Sequence, residues 1–269
     1  MLVRFVAPVM LAMFLVQSVS SSAATIDDFA TWTLVQDPPH AGMAASLDSG
    51  SQLTLTAIDA VPDAVDIGYQ SINGANVASS TSGFYFSPAA DFTIAVDYAI
   101  SSQSSQGLGG IGFGIGEDQS GANSAGVAVG VLDGIGLGVG GAARTNDVSD
   151  TTLDVLGAPL VGRLFVDYTA STGDIAYGYS DTPGASSFSV LGTFAARQQE
   201  WNDQPLLASF FLRSQDGSPV SGPLESGTLT AVFSNFEVLA GNATSVPEPA
   251  SMVLLATAMG CALGVLRRR

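Results

Sequence analysis

The chain has no lysine, one histidine (His40) and one cysteine (Cys261), and only 12% of its residues are charged. A single cysteine cannot close an intramolecular disulfide, so packing alone must stabilise the fold. A single histidine excludes multi-histidine metal centres and leaves one candidate general base of that type. No serine stands in a G-x-S-x-G context to use it, and it follows "DPP" in a loop, which reads as a surface histidine. All eight basic residues are arginine, and Arg4, Arg267, Arg268 and Arg269 lie at the chain ends. Between Thr25 and Val246 four arginines face twenty-three acids. A field of that sign repels phosphate backbones and anionic lipid, which argues against a nucleic-acid partner and is compatible with cations or uncharged glycans.

What the chain does have is apolar residues, 46% of its 269, and 31 glycines, enough to bury a sizeable core. The apolar residues recur with period two, and no long segment offers helical spacing. In "QLTLTAI" Leu53, Leu55 and Ala57 share a face; in "DFTIAVDYAI" so do Phe92, Ile94, Val96, Tyr98 and Ile100. Leu164, Val166 and Tyr168 alternate with Arg163, Phe165 and Asp167, and "GDIAYGY" aligns Ile175, Tyr177 and Tyr179. In "GTLTAVFSNFEVL" the phase shifts between Phe233 and Phe236, which predicts a β-bulge near Ser234 or Asn235. With turn chemistry in "ASTGD", "SDTPGASS" and "SQDGSPVSGP", these runs predict an all-β, two-sheet antiparallel β-sandwich of about a dozen strands over residues 25–239.

The stretches "GLGGIGFGIG" and "AGVAVGVLDGIGLGVGG" predict three neighbouring strands with one bulky and one nearly bare face. Interior strand glycines cost about 0.5–1 kcal/mol each against alanine, so the row needs a reason. One is a smooth groove for a flat polymer or another chain. The other, which needs nothing beyond the fold, is sheet curvature or an overlying loop. Residues 107–112 and 136–141 formally fit G-x-G-x-x-G, but neither opens a helix in a βαβ unit, which excludes dinucleotide binding.

Chemistry-bearing residues are sparse. Glu117 and Asp118 are adjacent and read as closing a hairpin. Asp147, Asp150 and Asp154 lie in "TNDVSDTTLD", which could hold calcium through oxygen ligands but reads first as solvated turn acids, and no other cofactor or metal site is predicted. Trp32, Trp201, Tyr85 and Tyr179 could stack on sugar rings, although sandwich aromatics are more often core. Asn242, in "NAT", fits a glycosylation acceptor only formally.

The order of elements, in particular "RLFVDYTASTGDIAYGYSDTPG" and the closing "VFSNFEV", resembles the concanavalin-like (jelly-roll) lectin and laminin-G superfamily. That resemblance implies glycan binding or surface scaffolding, and in some members glycoside cleavage. The E-x-D-x-x-E strand of the glucanases is absent, so no catalytic residues are assigned.

The two ends read as addresses. Arg4, the apolar run "FVAPVMLAMFLV" and then "SSAA" make residues 1–24 a signal peptide, a helix cleaved between Ala24 and Thr25. Residues 240–246 are expected to form a short exposed linker. Ala250 to Leu266 is uncharged and as a transmembrane helix would span about 26 Å. Arg267, Arg268 and Arg269 would hold its end in the cytoplasm. Pro247, Glu248 and Pro249, that apolar helix and the arginines, over residues 247–269, resemble the PEP-CTERM sorting signal of bacterial exported proteins. The resemblance implies signal peptidase and exosortase as partners and the membrane as a transient anchor. Delivery to the cell surface or extracellular exopolysaccharide matrix would follow. The leading reading is therefore a non-catalytic exported surface or matrix protein, and the alternative a carbohydrate-binding, lectin-like protein or a cryptic carbohydrate-active enzyme.

Overall fold

The computed structural model describes residues 29–48, 52–132, 136–216 and 222–246. The signal segment with Ala24 and Thr25, and the sorting segment with Pro247, Glu248, Pro249, Cys261 and Arg267 to Arg269, lie outside the described residues, as do both terminal helices expected there. Among the described residues no helix is long and apolar enough to cross a membrane.

Period-two alternation gives each strand one oily face, and two sheets bury those faces against each other. Strands are numbered in chain order. In spatial order the first sheet is β1 (Thr33–Asp37), β4 (Val65–Gln70), β15 (Leu207–Ser214), β7 (Gly109–Gly116), β8 (Ser124–Leu132), β9 (Gly136–Thr145) and β10 (Val148–Thr151), with β11 (Val155–Leu156) also pairing with β9. The second is β14 (Ser189–Phe194), β13 (Asp174–Ser180), β12 (Val161–Thr169), β6 (Phe92–Gln106), β16 (Ser226–Ala240), β3 (Gln52–Ile58) and β2 (Met43–Asp48). A two-stranded ribbon joins β17 (Thr244–Ser245) to β5 (Phe84–Tyr85). Every pairing between these strands is antiparallel.

The core is aromatic at its centre. Phe210 of β15 stacks on Trp32 (centroids 4.4 Å) and on Phe233 of β16 (5.0 Å), and meets Phe29 edge-on at 5.4 Å. The bulge expected in β16 is present. Its register against β6 shifts between Ser234 and Glu237, and Asn235 adopts φ 50°. The extra residue lets Phe233 and Phe236 both reach the core, where each is fully buried. Tyr98 and Tyr168 donate to the carbonyls of Pro159 (3.1 Å) and Pro88 (2.7 Å). Burial pushes both phenols up to about 12.

The outer face of the second sheet is closed by charge pairing and a loop. Arg163, wholly buried, donates to Glu237 Oε2 at 2.6 Å, and its Nε lies 3.5 Å from Asp97 Oδ1. Asp97 also accepts from the Gly184 backbone (2.9 Å) and Asn235 Nδ2 (3.1 Å), while Phe188 stacks on Phe165 at 4.4 Å. These contacts bury Arg163 and Phe165, which alternate along β12 with the core residues Leu164, Val166 and Tyr168.

The residues expected as an exposed linker are held down at their far end. Thr244 and Ser245 pair with Tyr85 and Phe84, the Val246 amide donates to Gly83 O at 2.8 Å, and the Val246 side chain, 5% exposed, packs with Ile72 and Leu207. Burying that valine and satisfying its amide overrides the polar composition around it.

Candidate functional site: a glycine-floored groove

Residues directly opposite on neighbouring strands point to the same side of a sheet. On the outer face of the first sheet this rule lays out four rows. Asp66, Arg213, Gly110 and Gly130 form the first; Gly68, Phe211, Gly112 and Ala128 the second. Gln70, Ser209, Gly114, Gly126 and Ala142 form the third, and Gly116, Ser124 and Arg144 the fourth. The inner face of the same strands carries Ile111, Phe113, Ile115, Val127 and Val129 in the core.

The bare face expected from the glycine pattern is thus real, and the structure gives it both physical reasons foreseen. A Cβ on Gly126 would overlap Phe113 O of the neighbouring strand and come within 2.5 Å of Gly114 Cα, so the sheet bends toward this side. A Cβ on Gly140 would overlap Thr152 O, because the loop before β11 crosses over it. A third reason is local. The Phe211 ring lies across Gly112, where a Cβ would collide with the ring carbons, so the ring lies in the floor instead of standing away from it.

Above this floor are two cavities, of about 490 Å3 and 470 Å3. Ala128, Ala142, Arg144, Phe211 and Arg213 line both, which makes them one trough across the sheet. Two ion pairs mark its margins. Arg213 meets Asp66 at 3.0 Å and also donates to Gln215 Oε1 (2.9 Å), and Arg144 meets Asp147 at 3.2 Å. Gln70, 3% exposed, lines the first cavity and donates Nε2–H to Gly74 O at 2.8 Å.

The other candidates lie elsewhere. Trp32 and Trp201 are core residues, the latter donating to Thr145 Oγ1 at 3.2 Å. Tyr85 packs beside Val246, and Tyr179 against the main core. His40 accepts the Gly42 amide through Nδ1 (3.1 Å) and shapes its own loop. Glu117 does follow β7 into the hairpin turn, but it is a clamp, 3% exposed. It accepts the backbone amides of Asn202 (2.8 Å) and Gln204 (3.0 Å) and the side-chain amides of Asn123 and Asn202.

The acidic loop does not converge. Asp147 pairs with Arg144 and Asp150 with Arg197, while Asp154 accepts from Thr152 and Tyr177. Among the described residues no three His, Cys, Asp or Glu side chains gather as a metal site. The groove residue that sequence reasoning missed is Phe211. Its signal was the pair "FF" inside an alternating run, since only one of two adjacent side chains can face the core.

Two stacked antiparallel sheets in this order define a concanavalin-like jelly-roll sandwich. A prokaryotic β-1,3-1,4-glucanase (lichenase) derived from a mouse hindgut metagenome shares it at 11% identity and TM-score 0.50, over 80% of this chain and 96% of that one. A Bacillus licheniformis β-glucanase (13%, TM-score 0.49, 78% and 92% covered) and basic winged bean lectin with Tn-antigen (14%, 0.43, 79% and 96%) are also similar. At such identities the likeness to the lichenase shows the fold alone. No protein-family model matches the chain, and no curated protein matches it.

Proposed function

We propose that the chain is an exported, non-catalytic glycan-binding protein that holds a polysaccharide in the groove on its first sheet. The observation that carries this reading is the continuous trough in which a half-buried phenylalanine ring lies flat on a glycine floor between two ion pairs. An open, mostly apolar concavity with a few convergent polar groups is what a ligand site requires. Glycoside hydrolysis needs two opposed carboxylates across the substrate. Here the second and third rows are glycine, alanine, serine, glutamine and phenylalanine; of the acids that line the cavities, Asp66 and Asp147 are bound to arginines, Asp118 accepts from Ser120, and Asp216 follows β15.

In this reading the N-terminal segment directs export and Pro247, Glu248 and Pro249 mark the site where an exosortase acts. The sandwich is then delivered to the cell surface or into exopolysaccharide. Two prolines flanking Glu248 disfavour a helix there, which suits a peptidase that binds extended chain.

A glycan array with and without calcium tests the binding half. Selective micromolar binding is expected, unchanged by calcium because the three loop aspartates have separate partners. No glycan bound would refute it, and polysaccharide turnover would refute the non-catalytic assignment. Mass spectrometry of the mature protein tests the sorting half: a terminus upstream of Ala250 is expected, and an intact Arg269 on surface-displayed protein counts against processing.

A further inference from the structure

Resting on the sorting half of that reading, in which residues 250–266 span a membrane, we infer that residues 72–90 and 241–246 form a membrane-facing platform. This end of the sandwich seats on the zwitterionic headgroup layer of the bilayer that holds the tail. Reach, charge and hydration each support it.

Reach comes from the hold on Val246. Thr244 and Ser245 are paired to β5, the Val246 amide is bonded to Gly83 O at 2.8 Å, and the Val246 side chain is buried with Ile72 and Leu207. The body therefore has no swivel before Pro247, and the uncharged run starts at Ala250. From Val246 to Ala250 an extended chain covers at most about 14 Å, at roughly 3.6 Å per residue. The headgroup layer on one side of the hydrocarbon takes up about 5–7 Å of that. Val246 is then held within about 9 Å of the lipid surface, less than the width of one packed sheet layer. The parts of the fold that share its end of the sandwich must meet the headgroups. Leu207 stands opposite Gly116 where β15 and β7 end, Phe86 bridges to Leu206, and Asn76 bridges to Asp118 in the turn after β7. Residues 72–90 and the turn after β7 lie at that end.

Charge distinguishes this end from the rest of the body. Between Thr25 and Val246 twenty-three acids face four arginines, yet no charged residue stands between Asp66 and Asp91, or between Glu237 and Glu248. A strongly acidic surface pressed on a bilayer is repelled by its phosphates, and an uncharged one is not. The acids that border the platform are engaged: Asp91 accepts from the Ala170 amide, Asp118 from Ser120, Asp203 from Gln198, and Glu117 is the buried clamp.

Hydration favours the same face. Asn73, Ala75, Asn76, Ala78, Ser79 and Thr81 are exposed, but the loop satisfies much of its own backbone. Asn73 Oδ1 accepts the amides of Thr81 (2.8 Å) and Ser82 (3.1 Å), Asn76 Oδ1 that of Ser79 (2.9 Å), and Ser80 Oγ that of Gly74 (3.0 Å). Amides already bonded within the protein give up no water when the loop is laid on headgroups.

The test uses the full-length protein with Cys261→Ser, reconstituted in phosphatidylcholine vesicles that contain lipid with a nitroxide on its headgroup. A bimane label is placed through Ala78→Cys on the platform or through Ser101→Cys, both exposed positions. Ser101 lies eight residues along β6 from Thr93, which pairs with Ala240, and so stands about 27 Å further from the platform end. Quenching at 78 is expected to exceed that at 101 at least about threefold, because only the first label reaches the headgroup layer. Ten Gly/Ser residues inserted between Val246 and Pro247 leave the fold untouched and add about 17 Å of flexible tether; the difference between the two labels should then disappear. Protein that floats with the vesicles but is quenched equally at both positions overturns this inference and leaves the membrane anchor standing, as does a difference that survives the longer tether. Protein that does not float with the vesicles overturns the anchor and this inference with it.

Discussion

Phe210 and Phe211 are neighbours in sequence with opposite tasks, and truncating each separates stability from binding. Phe210 is fully buried and touches Trp32, Phe29 and Phe233 at centroid distances of 4.4–5.4 Å. Phe210→Ala removes an aromatic ring from the middle of the core, a change that costs about 3–5 kcal/mol once the residual cavity is included. With a urea m-value of about 2–3 kcal/mol/M, the unfolding midpoint should fall by roughly 1–2 M. Phe211→Ala removes a half-exposed ring with solvent on one face, for which about 1 kcal/mol is the appropriate scale. Trp32 stacks on Phe210, so intrinsic tryptophan fluorescence during urea unfolding is a direct probe. The assignment of faces requires a large shift for the first variant and a small one for the second. Equal losses, or the reverse order, would refute the register that places Phe211 in the groove.

Three further outcomes follow from the same geometry. Arg163→Met leaves the nearly buried Asp97 without its charge partner and should cost about 3 kcal/mol in urea unfolding; a loss below about 1 kcal/mol would show the pair to be idle. Gly126→Ala places a methyl group against Phe113 O and should destabilise the sheet by about 1–3 kcal/mol or more, measured by thermal unfolding; an unchanged melting temperature would contradict the bend. Burial raises Tyr98 and Tyr168 to about 12 in the folded protein against an ordinary value of 10.0, so the fold favours the protonated phenols. Their contribution is complete below pH 10 and is lost as pH rises from 10 toward 12. Absorbance titration should show Tyr98 and Tyr168 ionising last, near 12, with burial delaying Tyr69 and Tyr177 as well. Six phenols titrating together near 10 would contradict this.

Much of the fold was legible because alternation is a local signal. β3, β6, β12, β13 and β16 follow the period-two pattern, and the bulge in β16 shows as a phase break. β15 escaped because "LASFFLRS" places two aromatics side by side, and alternation alone does not say which of them faces the core. Neighbouring strands decide it: Phe210 pairs with Tyr69 and Phe113, Phe211 with Gly68 and Gly112. The glycine rows announced a bare face, but the cause of its bareness lies in atoms far away in sequence, such as Thr152 over Gly140. β17 was invisible for a different reason. Two residues paired across more than a hundred positions leave no pattern to read, so the polar segment before Pro247 looked free.

The hold on that segment bears on kinetics. A peptidase that grips extended chain on the amino side of Pro247 competes for Thr244 and Ser245 with β5, and for Val246 with its seat beside Ile72 and Leu207. If the proposed trimming occurs, it is gated by how often this zipper of two residues opens. On that proposal, a mutation at Gly83, which accepts the Val246 amide from far away in the sequence, would change the maturation rate.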